Sequence, residues 1–208
     1  MKIYFEVQKM NLYFYTMKKL VFATNNPNKL REIQESITHF DVVGLKDLGI
    51  FEDIPETGTT LKENSHIKAK TIFKKTSLDS FADDTGLEIE ALNNEPGVYS
   101  ARYAGENCSV DDNIQKVIKK LNGKLNRKAT FKTVITLIIS GETYFFEGAV
   151  DGEITEEKCG VKGFGYDPIF KPNGFDITFA QMSLRDKNKI SHRGLAVKKL
   201  VEFLENKQ

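Results

Sequence analysis

The sequence predicts an α/β protein that folds as a single domain. Short apolar runs alternate with helical patterns from Met17 onward, and two long strand-like segments form a hairpin. No internal repeat and no linker rich in Pro, Gly or Ser divides the chain. Its 208 residues correspond to one domain or at most one and a half. Strands, a hairpin and intervening helices together indicate a mixed sheet with helices packed against it.

The composition is that of an ordinary globular protein. Hydrophobic residues make up 40% of the chain and charged residues 28%. The 30 basic and 29 acidic residues leave a formal net charge of +1. This balance argues against a generally basic surface, so nucleic acid is not an expected partner.

Cysteine content and hydropathy exclude further classes of protein. With only two cysteines, neither a disulfide framework nor a structural zinc site is expected. No run approaches the roughly 20 apolar residues that span a bilayer, and no continuous apolar core of a signal peptide is present. We therefore expect a cytoplasmic protein without a membrane partner.

The start of the chain differs from the rest. Residues 1–16 contain five aromatic side chains but show no clear helical or turn pattern. We interpret them as an N-terminal extension that is either translated from an upstream start codon or poorly ordered. The alternative is an extra strand or a partner-binding arm. The domain itself is predicted to span residues 17–208.

The first elements of the domain are a strand and two capped helices. A strand over residues 18–23 ends in a polar turn. Asn28 is the predicted N-cap of the helix that follows, over residues 29–37. A second helix is predicted over residues 60–73, where Thr60 and Glu63 have the spacing of a capping box.

Apolar spacing and turn residues predict the remaining elements. They are, in order, strands over 80–82 and 87–92 around a polar turn at 83–86, a helix over 110–121, strands over 129–139 and 143–154 joined by a three-residue loop at 140–142, and a helix over 194–204.

The polar turn after the first strand is the first candidate site. The N-terminus of a helix presents unpaired backbone N–H groups and a partial positive charge, which favour an anion such as phosphate. Thr24, Asn25 and Asn28 add short polar groups, and Lys29 adds a full charge. No Walker-type glycine-rich loop occurs in the chain, so an ordinary capped helix is the alternative.

Two adjacent acids, Asp83 and Asp84, form the second candidate site. Their mutual repulsion is costly unless a divalent metal or a nearby lysine offsets it. Magnesium typically takes one or two carboxylates together with phosphate oxygens. A solvated turn in which both acids face water is an equally open interpretation.

Two further segments carry groups suited to a nucleotide. Residues 163–168 hold two glycines that permit close backbone approach and two aromatic rings that can stack on a base, although a tight structural loop is the alternative. Lys187, His192 and Arg193 offer phosphate and hydrogen-bonding partners, which Lys68 can join, although a solvated basic surface is the alternative. The four candidates together indicate a nucleotide more strongly than any one of them.

Taken in order, these segments resemble the inosine triphosphate pyrophosphatase family, also called the non-canonical purine nucleoside triphosphate (dITP/XTP) pyrophosphatases. The motifs that carry the resemblance are ATNNPNK at 23–29, ENS at 63–65, FADDTGL at 81–87, PGVYSARYAG at 96–105, GFGYDPIF at 163–170 and SHRG at 191–194. They follow one another in the right order and spacing across residues 17–208, which makes the resemblance specific.

The resemblance implies both a fold and an activity. The implied fold is a long mixed sheet flanked by helices in two lobes, with the active-site cleft between them, in a homodimer. The implied activity is hydrolysis of ITP, dITP and XTP to the nucleoside monophosphate and pyrophosphate, which cleanses the nucleotide pool. The implied cofactor is Mg²⁺.

The resemblance also implies roles for individual residues. Asp84 matches the catalytic acid, which binds the metal and activates or orients the attacking water, and Glu56 is the expected second metal carboxylate. The implied substrate-binding residues are Thr24, Asn25, Asn26, Pro27, Asn28, Lys29 and Lys68 for the triphosphate, Thr85 beside the catalytic acid, Phe164, Gly165, Tyr166 and Asp167 for the base and sugar, and Lys187, His192 and Arg193 for the base and phosphate pocket.

Discrimination against ATP is expected at position 6 of the purine. A 6-oxo group accepts a hydrogen bond where the adenine amino group donates one, so buried donors there would be left unpaired by ATP.

Two rival functions stay open: a Maf-like pyrophosphatase that acts on modified pyrimidine nucleotides, and a nucleotide-binding sensor without catalysis. Nucleic-acid binding is a poor third, because no recognised module appears.

Overall fold

Seven strands form one mixed sheet in the computed structural model, which describes residues 17–207. The strands are β1 (Lys18–Phe22), β2 (Phe40–Val43), β3 (Ser80–Ile89), β4 (Pro96–Gly97), β5 (Lys128–Ile139), β6 (Glu142–Ile154) and β7 (Phe170–Pro172). Their order is β2-β1-β3-β5-β6-β7, with β4 paired to β3. Strand β1 runs parallel to β2 and β3, and the other pairs are antiparallel. The predicted single-domain α/β fold with a mixed sheet is confirmed, and the predicted extension at residues 1–16 lies outside the described residues.

Five α-helices pack on this sheet within the described residues. They are α1 (Pro27–Gln34), α2 (Leu61–Thr76), α3 (Val110–Leu121), α4 (Leu184–Ile190) and α5 (His192–Asn206). The predicted capping box of Thr60 and Glu63 is present at the start of α2. Between residues 17 and 207, none of the helices is long and apolar enough to cross a membrane.

The hydrophobic core divides into regions that meet along the long strands. At one end of the sheet, α1 and α5 cover one face and α2 covers the other. At the other end, the sheet packs against α3 and the segments around β7. Within β3, Phe81 belongs to the first end and Leu87 to the second. The acidic residues between them therefore lie where the two core regions meet, in agreement with the expected two lobes.

The predicted turn at residues 83–86 is wrong, because these residues lie in the middle of β3. Every residue of β3 pairs with β5, from Ser80 opposite Ile138 to Ile89 opposite Ala129. Asp and Gly disfavour strands when judged alone, but pairing with a long buried neighbour overrides this local preference. The strand predicted to end at residue 92 ends at Ile89, and a short 3-10 helix follows.

The first helix begins two residues earlier than predicted. Its N-cap is Asn26, whose Oδ1 accepts the backbone N–H groups of Asn28 at 2.9 Å and Lys29 at 3.4 Å. Pro27 occupies the first helical position, where its missing N–H costs nothing and its fixed φ suits the helix. The prediction of Asn28 as the N-cap is therefore wrong, and the helix ends at Gln34 and not at Ile37.

The hairpin of β5 and β6 is tighter than the predicted three-residue loop. Only Ser140 and Gly141 separate the strands, with φ of +52° and +81°. Two central residues with positive φ form the turn that matches the twist of a two-residue hairpin. The sequence prediction also lacked β2, β4, β7 and α4, and it began the last helix at residue 194, whereas α5 begins at His192.

Candidate active site

A cavity of about 240 Å³ opens beside the centre of β3. Most of the residues proposed from the sequence line it. These are Asn26, Lys29, Glu56, Asp84, Thr85, Phe164, Gly165, Tyr166, Asp167, Lys187, His192 and Arg193. Thr24, Asn25, Pro27, Asn28 and Lys68 are not among the lining residues. The topology thus brings together residues from β3, α1, α4, α5 and three loops.

The two adjacent acids point to opposite faces of the sheet, because successive side chains of a strand alternate. Asp84 faces α2, where its Oδ1 lies 3.2 Å from Lys68 Nζ. Asp83 faces α1 and α5, where it contacts Lys29 and Arg193. Each acid therefore has its own cationic partners, and the structure separates a pair that the sequence presents as one unit.

Glu56 and Asp84 share the ammonium group of Lys68. Its Nζ lies 2.5 Å from Glu56 Oε1 as well as 3.2 Å from Asp84 Oδ1. Burial opposes the charged form of Lys68, but the two carboxylates outweigh it and hold its pKa above the usual value. Burial raises the pKa of Asp84, because the lysine only partly offsets the loss of solvent and the charge of Glu56. Asp84 is thus a better proton acceptor than an ordinary aspartate.

The donor set around Asp84 fits a divalent metal that also binds phosphate oxygens. Asp84 Oδ2 is buried and has no hydrogen-bond partner, which leaves one carboxylate oxygen available. Across residues 17–207 no group of three or more His, Cys, Asp or Glu side chains is placed to hold a metal by itself. Two carboxylates completed by substrate and water are the usual surroundings of Mg²⁺, so Glu56 and Asp84 are sufficient.

Asp83 anchors a second cluster of buried charges. Its Oδ1 accepts from Lys29 Nζ at 2.9 Å, and its Oδ2 accepts from Arg193 Nε at 3.1 Å and Nη2 at 3.0 Å. Burial alone would raise the pKa of Asp83, but these two cations hold it well below the usual range. Asp83 therefore stays ionised and fixes both cations on the face of β3 opposite Asp84.

Glu32 extends this cluster, and sequence reasoning missed it. Its Oε1 accepts from Lys187 Nζ at 2.8 Å and its Oε2 from Arg193 Nη1 at 2.6 Å. Lys187 also donates to Asp167 Oδ2 at 2.7 Å. The three-residue spacing from Lys29 indicates that Glu32 lies on the same helical face, but nothing in the sequence indicates its ion pairs with Lys187 and Arg193.

Phe164 lies over the cations of this cluster. Its ring centroid is 5.0 Å from Lys187 Nζ and 5.2 Å from Arg193 Cζ. Its backbone N–H donates to Asp167 Oδ2 at 2.8 Å, which ties the loop to the carboxylate that Lys187 contacts. Gly165, which follows Phe164, adopts a φ of +60° that a side chain would disfavour.

Tyr166 is built into the core and braces two loops. Its hydroxyl donates to the backbone oxygen of Ser100 at 2.9 Å, and its ring packs in the region that contains Phe131. Of the two aromatic residues proposed to stack on a planar ring, Phe164 is thus the more accessible one, since Tyr166 is only 5% exposed.

His192 is a buried, neutral imidazole at the cavity wall. Its ring stacks on Phe131, with 4.3 Å between centroids and 16° between planes. Burial, helped by the charges of Arg193 and Lys187, lowers the pKa of His192 well below its usual value. Its Nδ1 is buried without a partner, so the neutral ring can donate or accept at a ligand.

The polar turn before α1 contributes only part of its length to the cavity. Thr24 Oγ1 accepts the backbone N–H of Asn26 at 3.1 Å, and Asn25 Nδ2 donates to the backbone oxygen of Phe51 at 3.4 Å. These two side chains shape the turn, while Asn26 and Lys29 reach the cavity. Asn28 is exposed on the first turn of the helix.

Six further residues that line the cavity were not predicted as part of the site. They are Val98, Ser100, Ala101, Val110, Asn113 and Phe131. Three of them lie inside the motif at residues 96–105, so that motif was a usable signal. Asn113 and Phe131 occupy an amphipathic helix and a strand, where nothing in the sequence distinguishes them from ordinary packing residues.

The fold and the cavity define a class of protein: a mixed-sheet α/β protein whose cleft combines paired carboxylates with buried cations and an aromatic ring. The sequence model of the Ham1 family matches residues 20–203. The dITP/XTP pyrophosphatase of Flavobacterium johnsoniae is 56% identical over 190 residues, which cover 89% of this chain and 97% of that protein. The dITP/XTP pyrophosphatase of Christiangramia forsetii is 52% identical over 187 residues, which cover 89% and 98%.

Solved structures agree with these relatives. The Ham1 protein of Staphylococcus aureus matches with a TM-score of 0.82 and 44% identity, covering 92% of this chain and all of that one. A HAM1 protein from Coxiella burnetii matches with a TM-score of 0.84 and 40% identity, covering 91% and 100%. The chain belongs to the Ham1 family, and the family resemblance inferred from its motifs is confirmed.

Proposed function

We propose that the protein hydrolyses the purine nucleoside triphosphates dITP, XTP and ITP to the nucleoside monophosphate and pyrophosphate. The observation that carries this proposal is the partner-free, buried carboxylate oxygen of Asp84 at a cavity lined by cations, in a chain 56% identical to a dITP/XTP pyrophosphatase. In this role the enzyme would remove deaminated purine nucleotides from the pool used for nucleic-acid synthesis.

Asp84 is the proposed catalytic residue. Mg²⁺, held by Asp84 and Glu56, would neutralise phosphate charge and lower the pKa of a bound water. Asp84 orients the attacking water and accepts its proton while the water oxygen bonds to the α-phosphorus and the α–β phosphoanhydride bond breaks.

The triphosphate is proposed to bind along the turn at residues 24–29. Asn26 and Lys29 reach the cavity directly, and Lys68 stands beside Asp84 on the other face of β3. Thr85 follows the catalytic acid and lines the same cavity. Charge neutralisation and positioning are the main requirements of phosphoryl transfer, and these groups supply both.

The purine base is proposed to bind near Phe164, Gly165 and His192. Lys187 has three N–H groups and Arg193 has five. Lys187 makes two of the observed hydrogen bonds and Arg193 makes four, so each retains one N–H. A 6-oxo purine can accept from such buried donors, whereas ATP would leave them unpaired. A site of this kind discriminates by about 10⁴-fold or more.

Three further parts of the proposal are supported by the sequence and the family resemblance alone. They are a catalytic domain spanning residues 17–208, assembly as a homodimer, and a cytoplasmic location. Size-exclusion chromatography with light scattering tests the homodimer, and the activity of a chain that begins at Met17 tests the domain boundary.

A pyrophosphate-release assay tests the proposed activity. Release should be fast with ITP, dITP and XTP in Mg²⁺, slow with ATP, and absent when EDTA removes the metal. The Asp84→Asn variant should bind ITP but release no pyrophosphate. Preference for dUTP or TTP would indicate a Maf-like activity, and binding of ITP without release by the unsubstituted protein would indicate a sensor. Either result would overturn the proposal.

A further inference from the structure

We infer that Asn64 is a positioning residue for Glu56, because its side chain fixes the loop that carries this carboxylate. The inference rests on the proposed role of Glu56 as a metal ligand. Glu56 lies in a segment without regular secondary structure that precedes α2. Its carboxylate therefore depends on contacts outside its own segment for a defined position.

The key contact is a hydrogen bond from this loop to α2. Asn64, in the first turn of α2, is fully buried, and its Oδ1 accepts the backbone N–H of Gly58 at 2.8 Å. Gly58 is only two residues beyond Glu56, so this bond fixes the backbone where the chain leaves the carboxylate. The neighbouring bonds from Thr59 and Thr60 to Glu63 are exposed to solvent and hold the loop less rigidly.

Close packing supports the same contact from the loop side. A Cβ atom on Gly58 would lie 2.6 Å from Glu63 Cβ and 2.7 Å from Asn64 Oδ1. Real Cβ atoms do not approach so closely, so only glycine lets the loop lie against the helix here. Gly58 and Asn64 thus form one contact, and a substitution at either residue tests it.

Asn64, which anchors the loop, and Lys68, which contacts Glu56, lie on the same face of α2. Lys68 follows Asn64 by one turn, at the i+4 spacing that puts two side chains on one face. Lys68 Nζ binds Glu56 Oε1 at 2.5 Å, while Arg102 Nη1 is 3.6 Å from Glu56 Oε2. Without the anchor, the loop would keep only its exposed bonds to Glu63, and Glu56 would contact two flexible side chains, so its distance from Asp84 would vary.

The side-chain amide of Asn64 has an unpaired donor, which allows a leucine substitution that the fold should tolerate. Asn64 Nδ2 is buried without a partner, which is costly in the native structure. Replacement by leucine, of similar size, removes this unpaired donor together with the acceptor for Gly58. The Asn64→Leu variant is therefore expected to fold while the loop loses its anchor. Asn64→Asp keeps an acceptor oxygen in the same place and serves as the conservative variant.

The readout is the affinity for Mn²⁺ alone, measured by the electron paramagnetic resonance signal of the free ion, with no nucleotide present. Loss of an outer partner that orients a ligand typically weakens metal binding by about 10–100-fold. We expect a loss in this range for Asn64→Leu and Gly58→Ala, and a loss at least as large for Glu56→Gln. Asn64→Asp should bind Mn²⁺ more tightly than Asn64→Leu.

Ile72→Val is the matched control for stability. Ile72 lies two turns further along α2 and is buried, so its truncation loosens packing while the hydrogen bond from Gly58 to Asn64 is kept. Thermal unfolding of every variant is recorded beside the titration. Unchanged Mn²⁺ affinity in Ile72→Val, together with weakened affinity in Asn64→Leu, supports the positioning role.

The outcomes separate this inference from the proposed function. If the unsubstituted protein binds no Mn²⁺, or Glu56→Gln binds it normally, the metal role of Glu56 is wrong and the inference falls with it. If Glu56→Gln weakens binding and Asn64→Leu does not, only the positioning role is wrong. Equal weakening by Asn64→Asp and Asn64→Leu would also overturn it, because the acceptor oxygen would then be irrelevant.

Discussion

Asp83 and Asp84 are neighbours in one strand, yet their replacement by asparagine should affect stability in opposite ways. Asp83 is 2% exposed and accepts three hydrogen bonds from Lys29 and Arg193. Breaking a buried ion pair costs about 3–5 kcal/mol. Asparagine keeps one acceptor oxygen and Arg193 keeps Glu32, so we expect the lower end, about 3 kcal/mol. For a chain of this size, this lowers Tm by about 6–12 °C.

Asp84→Asn should not destabilise the protein at pH 7. Burial raises the pKa of Asp84, so its ionised form is less stable in the folded state than in the unfolded chain. The neutral amide removes this penalty, and Lys68 retains Glu56 as a partner. The variant should therefore keep or raise Tm while it loses activity.

The pH dependence distinguishes the two variants further. Because the folded pKa of Asp83 is depressed, its stabilisation is complete above the unfolded pKa of about 3.9 and disappears as pH falls below it. The deficit of Asp83→Asn should therefore shrink in acid. Circular dichroism melting curves, recorded from pH 7 down to the lowest pH at which the protein stays folded, measure the Tm difference of each variant and its pH dependence. An Asp83→Asn variant as stable as the unsubstituted protein at pH 7, or an Asp84→Asn variant destabilised as much as Asp83→Asn, would refute the reasoning.

Three further variants test other contacts in the cleft. Lys68→Met removes a charge that lowers the pKa of Asp84, so the acid limb of kcat/KM should move to higher pH; an unmoved limb contradicts this. Phe131→Ala should cost about 3–5 kcal/mol in urea unfolding and raise KM, because His192 loses its stacking partner; an unchanged KM contradicts the link to His192. Lys187→Met should reduce the preference for ITP over ATP, as a ratio of kcat/KM, by about tenfold or more; a retained ratio would exclude this donor from base selection.

The elements with strong periodicity were predictable from the sequence. Helix α3 has the predicted bounds, and β5 and β6 match within a residue, because long amphipathic and alternating patterns leave little ambiguity. The polar residues at 83–86 were misread as a turn, since their strand conformation comes from pairing with β5. A distant segment imposes that pairing, and local preference does not contain it.

Most residues of the candidate site were predictable from the sequence, but the ion pairs between them were not. The motifs indicated Lys29, Lys187 and Arg193 as cations for phosphate, yet each is bound to a buried carboxylate. The partner missed entirely was Glu32, which is 161 residues from Arg193. A pairing of that separation depends on how α1 packs against α5, so one sequence without its fold does not reveal it.

These ion pairs determine how much net charge the cleft offers to an anionic ligand. The buried set on one face of β3 is electrically balanced, with three cations and three carboxylates: Lys29, Lys187 and Arg193 against Glu32, Asp83 and Asp167. On the other face, Glu56 and Asp84 are paired with Lys68 and Arg102, so this set is balanced as well. A polyanion gains little net attraction from two balanced sets. We therefore expect a divalent cation at Glu56 and Asp84 to supply the net attraction, while Lys187 and Arg193 engage ligand oxygens through the N–H groups that their present partners leave unused.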